Sequence, residues 1–301
     1  MNPLICGVFI ISLAPILIHI SPFTSDETAF YRMALGALFF WTLTLFKKGE
    51  SLSHREKLLA MVGGAAFAID LMCWHRSIHY IGPGVATLIA NLQVLMVAGV
   101  SVFLPGPKPR PVFWLAAGIA LTGLGLLAGQ GAQEHLFKGI GLGLLAAVGY
   151  TAYLLSIKHI PQPDMAKTFQ VMKWVSGSAT FCLIAMLLRQ SHVALPQTGS
   201  ELMIVLLYGV LVQGVAWALI AMAMKKMRPF RVSLVLLLQP VLAMVWEVLF
   251  FERVLQATEI QGMLLVFVGI MGSFMATSES GVQKWVGFKG RFLGYTKTKT
   301  S

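Results

Sequence analysis

Charge is what this chain has least of. Only 12% of its 301 residues are Asp, Glu, Lys or Arg, about half the share of an average soluble domain. A water-exposed globule of this length could not cover its surface with so few polar groups. Cysteine is nearly as scarce. Cys6, Cys73 and Cys182 all lie inside apolar runs, which excludes a disulfide framework and offers no metal spacing, so they read as small buried apolar residues. No glycine-rich nucleotide loop, nucleophile with its base, or carboxylate pair at hydrolytic spacing occurs, and no cofactor is expected. Long polar stretches are also missing, which leaves no room for a soluble domain.

What is present is apolar sequence in repeated runs. Hydrophobic residues make up 57% of the chain, and a run of about 20 crosses a bilayer. Ten such spans are expected, at 3–20, 28–46, 58–78, 84–104, 112–130, 139–157, 168–188, 202–224, 232–251 and 260–276. Turn signals separate them, among them Ser21-Pro22, Gly82-Pro83, Pro161-Gln162-Pro163 and Arg228-Pro229. The first run lacks a basic leader and a clear cleavage site, so it reads as a retained helix.

The net charge of +11 could point to nucleic acid, but the basic residues are scattered through short loops instead of clustered on one folded face. Their distribution fits a bilayer. With a cytoplasmic N-terminus, 17 of the 23 Lys and Arg residues fall on the inner side, four fall outside, and Arg32 and Lys173 lie within spans. That asymmetry predicts a multi-pass protein of the cell (inner or plasma) membrane with both termini cytoplasmic. Residues 277–301 form a basic tail, with aromatic residues at helical spacing and with Gly287, Gly290 and Gly294 among them weakening a helix. It reads equally as an amphipathic segment on the inner leaflet and as a solvated tail.

The chain repeats at about half its length. A shift of 141 sets Arg32 on Lys173 and Gly36 on Gly177; a shift of 146 sets Pro83 on Pro229, Thr87 on Ser233 and Gln93 on Gln239. With five spans in each half, the second half enters the membrane from the opposite side. Such inverted repeats are a feature of secondary transporters, with the solute site near the midplane. The expected units are 1–131, 132–276 and the tail 277–301.

The run A-M-K-K-M-R-P-F-R-V-S-L-V-L-L-L-Q-P-V-L-A-M-V-W-E-V-L-F-F-E-R, followed by Gln261-Gly262 and Gly269, resembles the second repeat of the EamA family, part of the drug/metabolite transporter superfamily. F-Y-R-M-A-L-G in the second span and I-H-Y-I-G-P-G-V-A-T-L entering the fourth resemble the first repeat. The resemblance covers roughly residues 3–276 and implies an all-α fold of two inverted five-helix halves around a central cavity. The halves differ. Glu252-Arg253 closes the ninth span, whereas the fourth ends in Pro105-Gly106-Pro107, and Pro240 has Val94 as its counterpart.

A charge in mid-membrane costs about 2.5–3.5 kcal/mol on insertion scales. Asp70 lies near the middle of its span, too short to reach a headgroup. It must face the protein interior, either as a helix-to-helix hydrogen-bonder or as a cavity residue that carries a proton. Arg32, Lys173 and Glu247 each read as pathway residues or as side chains snorkelling to an interface. Asn91, Gln93, Gln213 and Gln239 line a polar path or join helices. Trp74 and Trp217 stack on a solute or simply pack. His75 and His79 have two-ligand spacing without a third ligand, and read as interfacial residues. Pro15 and Pro240 loosen their helices for gating or mark static kinks. Glycine pairs such as Gly125/Gly129 and Gly139/Gly143 read as close helix packing.

The expected function is secondary transport, in the export direction that the resemblance favours, of a small polar metabolite such as an amino acid, with proton coupling open. The alternatives are a membrane enzyme acting on a lipid-like substrate through Asp70, His75 and His79, and an accessory membrane subunit. Oligomeric state and substrate identity have no signal in the sequence.

Overall fold

The computed structural model describes residues 3–47, 49–104, 108–127, 136–162, 164–188, 193–252 and 254–275, and every element among them is helical. The tail expected at 277–301 lies outside the described residues. In order, the helices are α1 (Pro3–Ile11), α2 (Ala14–His19), α3 (Ser25–Phe46), α4 (His54–Ala90), α5 (Gln93–Phe103), α6 (Pro111–Leu127), α7 (Leu136–Lys158), α8 (Met165–Leu187) and α9 (Gly199–Leu206). A π-helix (Leu207–Ala216) follows, then α10 (Trp217–Lys226), α11 (Pro229–Val235), α12 (Leu238–Phe251) and α13 (Ala257–Met275).

Six helical stretches among the described residues are long and apolar enough to cross a membrane; four shorter apolar helices occupy the remaining expected spans. Their outward faces carry Leu38, Trp41, Leu115, Phe181 and Leu264, all exposed. In water such a surface would associate, whereas in lipid it is the solvated one. Three helices begin with a reciprocal capping box, Thr24/Glu27, Ser53/Glu56 and Thr198/Glu201. In each, the hydroxyl accepts from the third helical amide and the carboxylate accepts from the cap amide, which satisfies donors that lipid could not.

The ends of the helices sort into two groups. At one end Arg76 pairs with Asp26 at 3.0 Å, the Ala194 amide donates to Glu27, and Lys138 lies over the Tyr80 ring. At the other end Lys167 pairs with Glu56 at 2.9 Å, and Lys158 donates to the carbonyls of Met224 and Met227.

One expectation needs correction. Gly82-Pro83 was to be a loop between two spans, yet helical backbone runs unbroken from His54 to Ala90. It does not run straight. Trp74 Nε1 donates to Thr87 Oγ1 at 3.3 Å, while 13 residues of straight helix would separate them by about 20 Å. The chain therefore folds back between them while keeping helical turns, at a proline that has no amide to give and glycines that relax the bend. The true interruption comes later, at Asn91-Leu92. A second interruption lies at Leu236-Leu237, just ahead of Pro240.

These two breaks share one hydrogen-bond pattern. Asn91 donates to Thr87, Leu92 to Ile89 and Val94 to Asn91 through their backbones; Leu236 donates to Val232, Leu237 to Leu234 and Gln239 to Leu236. Every bond of the first set maps onto the second by a shift of 145, one residue less than the shift that aligns Pro83 with Pro229. The first helix is broken as well. Ser12 and Leu13 separate α1 from α2, whose first turn holds Pro15, and Trp246 Nε1 donates to Ser12 Oγ at 2.8 Å.

Glycine sets the close approaches. At the expected Gly139/Gly143 pair, a Cβ on Gly143 would meet Ile89 Cγ2 at 2.8 Å, and Ser77 Oγ donates to the Gly139 carbonyl at 2.8 Å; Gly129 of the other pair lies outside the described residues. A Cβ on Gly123 would lie 2.5 Å from the Gly262 carbonyl oxygen, and one on Gly269 2.5 Å from that of Ala116, so α6 and α13 pack backbone to backbone. Between α4 and α7, a Cβ on Gly149 would lie 2.7 Å from the Ala66 oxygen and 3.0 Å from the Asp70 amide nitrogen. Because those contacts are backbone atoms, neither helix can yield locally. Gly149→Ala is expected to destabilise the folded protein by about 1–3 kcal/mol, read as a lower unfolding temperature in detergent. Unchanged unfolding would show that α4 and α7 do not depend on this contact.

Candidate functional site

The site starts from Arg32, which α3 carries into the middle of the bundle, where it is 4% exposed. Its Nε donates to Gln213 Oε1 at 3.0 Å and its Nη1 to the Tyr208 hydroxyl at 3.3 Å. The guanidinium also lies 5.3 Å from the ring centroids of both Phe67 and Tyr208. Desolvated cation–π contacts contribute about 2 kcal/mol, comparable with the insertion cost of the charge. Gln213 is fixed from its other side, since its Nε2 donates to Ser176 Oγ at 3.3 Å.

The π-helix explains how both partners reach the cation. Tyr208 and Gln213 are five residues apart. In an α-helix that spacing turns them about 140° away from each other; in a π-helix, whose bonds run from i to i+5, it brings them toward one face. Space for Gln213 comes from Gly36 of α3, where a Cβ would meet Gln213 Cγ at 2.3 Å.

Asp70 faces this cation from α4. It is 7% exposed and lies within electrostatic reach of Arg32, but no salt bridge joins the two among the described residues. Around them stands an aromatic cluster. Phe67 stacks on Tyr153 at 4.3 Å, and Trp217 meets Phe67 at 5.2 Å and Tyr153 at 5.0 Å edge-on. Tyr150 completes it, 6.1 Å from Trp217. The Tyr153 hydroxyl and the Trp217 indole nitrogen are buried without a hydrogen-bond partner.

Of the residues singled out from sequence, Arg32, Asp70, Gln213 and Trp217 come together here. Trp74 and Asn91 do not. Trp74 ties the fold-back of α4 to Thr87, and Asn91 Nδ2 donates to the Thr87 carbonyl at the break. Gln93 is fully buried and its Nε2 donates to the Ser233 carbonyl at 3.4 Å, joining α5 to α11. Gln239 lies half-buried in the first turn of α12. Lys173, which a shift of 141 aligns with Arg32 in the sequence, stays half-exposed beside Trp174, with Lys57 acting on it. Glu247 lies on α12, and its side chain falls outside the described residues. His75 lines a cavity at the Asp26–Arg76 end of the bundle. Among the described residues no three His, Cys, Asp or Glu side chains gather as a metal site.

Sequence reasoning missed Phe67, Tyr150, Tyr153, Ser176 and Tyr208. A signal existed for one of them: Tyr150 sits mid-span, away from the interfacial belts where membrane tyrosines concentrate.

This arrangement was compared with known proteins. The profile of the EamA-like transporter family matches residues 4–129 and 137–275, and the chain belongs to that family, which is part of the drug/metabolite transporter superfamily. Two Pseudomonas aeruginosa proteins named pseudopaline exporter CntI, from strains UCBPP-PA14 and PAO1, are 26% and 25% identical over 185 residues. The match covers 61% of this chain and 63% of each relative, less than two thirds of their length. One crystal structure superimposes with a TM-score of 0.76 over 92% of this chain and 97% of that one, at 17% identity, and so shows a shared fold. Membership of that family indicates a membrane transporter.

The geometry makes Gln213 the residue that fixes Arg32. Gln213→Leu leaves the guanidinium short of a buried acceptor and is expected to cost about 1–3 kcal/mol. Gln213→Glu supplies a countercharge and should match or exceed wild-type stability. Thermal unfolding in detergent compares them, and equal destabilisation by both variants contradicts the role of Gln213.

Proposed function

We propose that this member of the EamA-like transporter family exports a small zwitterionic metabolite of amino-acid type from the cytoplasm across the inner or plasma membrane. The observation that carries the reading is the buried guanidinium of Arg32 on α3 and the buried carboxyl of Asp70 on α4, held in one aromatic-walled cluster without a salt bridge between them. A carboxylate suits the cation, an ammonium suits the anion, and the apolar body of the solute suits the ring faces. The low dielectric there strengthens both attractions relative to water. Being exporters, the Pseudomonas relatives favour the outward direction.

In this reading ten spans form two inverted five-helix halves, 1–131 and 132–276, which rock about the site to open it to each side in turn. The shared hydrogen-bond pattern of the breaks at Asn91-Leu92 and Leu236-Leu237 supports equivalent halves, since discontinuous helices near the midplane are where such folds flex. The charge asymmetry supports cytoplasmic termini, so the Asp26–Arg76 end is external. Cysteines introduced at Thr198 and Glu134 should then label from outside intact cells and one at Ser51 should not; the reverse pattern overturns the orientation.

Asp70 is the proton carrier in this scheme, neutral on one half of the cycle and charged on the other. Transport into proteoliposomes, with and without an imposed proton gradient, tests it across a panel of amino-acid-like solutes. Asp70→Asn should abolish gradient-driven accumulation while leaving exchange, and Arg32→Gln should raise the half-saturating concentration of carboxylate solutes at least tenfold. Wild-type accumulation by both variants removes the site from the transport path.

A further inference from the structure

Acid and base exchange places between two levels of the bundle. Asp26 and Arg32 lie six residues apart on α3, and Asp70 and Arg76 six apart on α4. Six helical residues rise about 9 Å. The two helices run in opposite directions, joined by a short link between Phe46 and His54 at one end and by the Asp26–Arg76 contact at the other. Arg32 of α3 and Asp70 of α4 therefore share the central level, within electrostatic reach of one another, while Asp26 of α3 meets Arg76 of α4 one level outward. The central pair is open. The outer pair is closed at 3.0 Å, with side chains 39% (Arg76) and 19% (Asp26) exposed.

The outer level has a cavity of its own. It holds about 270 Å³ and is lined by Thr24, Ser25, Asp26, His75, Arg76 and Tyr80. Pockets for drug-sized ligands begin near 300 Å³, so this one suits a solute of amino-acid size. His75 is 5% exposed, and its ring approaches the Ser25 backbone without forming a well-aligned hydrogen bond. A buried imidazole left so gains from a ligand that supplies a donor or acceptor. Arg76 brings a cation, Asp26 an anion, and Lys138 adds positive charge at the rim, 4.6 Å above the Tyr80 ring.

We propose that this cavity is a second binding site for the zwitterionic solute, occupied on its way between the Arg32–Asp70 level and the bundle end. Only the zwitterionic class of the solute is taken from the preceding reading. In the outer site the carboxylate inserts at Arg76 and the ammonium at Asp26, displacing each side chain from the other. A part-exposed ion pair of this kind contributes about 0–1 kcal/mol, so a solute that replaces both charges opens it at little cost. Because the signs are exchanged between levels, the solute turns end over end as it passes: its carboxylate leaves α3 for α4.

Binding of L-alanine, N-acetyl-L-alanine and L-alaninamide to the full chain in nanodiscs, followed by titration calorimetry, tests the site. Wild type should bind L-alanine in two phases and each single-charge analogue at least tenfold more weakly in both. Asp26→Asn combined with Arg76→Gln should remove one phase and keep the other, while Arg32→Gln should remove only the phase that the double variant keeps. If the double variant does not fold, Asp26→Asn alone should reduce L-alanine binding in one phase to the level of N-acetyl-L-alanine. Two unchanged phases in these Asp26 variants, or no alanine binding that depends on Asp26 and Arg76, overturn the proposal. Two unchanged phases in Arg32→Gln, with one lost in the double variant, overturn the central reading and leave the outer site standing.

Discussion

A permanent positive charge sits in the middle of a lipid-facing bundle, and much of the architecture follows from keeping Arg32 there. Arginine cannot shed its proton in a protein, so its environment must adapt. Three devices answer: a glutamine oxygen, a tyrosine hydroxyl and two ring faces. Each requires something elsewhere. Gln213 and Tyr208 reach one cation because the helix carrying them widens into π turns. Gln213 fits because position 36 has no side chain. Phe67 is held by its stack on Tyr153, which brings α7 against α4.

Backbone satisfaction is the second constraint, and it governs where helices break. A gap in mid-bilayer must rebond its amides and carbonyls internally. Both interior breaks do so by shifting amides to i−3 carbonyls, among them Leu92 to Ile89 and Leu237 to Leu234. In the second break the shift releases the Ser233 carbonyl, and Gln93 Nε2 from the first half takes it up. The two broken regions are thus joined across the halves. The bond is not reciprocated, since the buried Gln93 Oε1 has no partner, so the two breaks share a backbone pattern but not their side-chain chemistry.

Length and apolarity made the membrane fold legible, because spanning a bilayer needs a fixed run of residues and little else. Six of the expected spans are long apolar helices and the other four are shorter ones. Gly82-Pro83 reads as a loop because proline marks turns, whereas the helical assignment runs through it and the chain bends between Trp74 and Thr87. Arg32, Asp70, Gln213 and Trp217 stood out as polar or bulky groups in apolar runs. Their rings did not: Phe67 and Tyr153 look like any core aromatic until the cation above them is located. Lys173 illustrates the converse. It matches Arg32 by repeat position, yet its long flexible stem carries the ammonium to the half-exposed side of α8. A sequence repeat conserves the backbone position of a residue, while the partners that decide its role come from other helices.

Why Arg32 and Asp70 do not close on each other has a physical answer. A salt bridge in the interior would cancel both charges, and the desolvation of the pair would offset much of the attraction. Gln213 and Tyr208 are neutral. They orient the guanidinium and meet its hydrogen-bonding needs while leaving its charge uncompensated. The ring faces act likewise, since a quadrupole attracts a cation without neutralising it. Gly149 constrains the other partner, because the backbone of α7 lies against the Asp70 amide and limits how far α4 can shift. The cluster therefore holds a guanidinium and a titratable carboxyl near one another yet apart, an arrangement that a closed ion pair would remove and that neutral, directional contacts preserve.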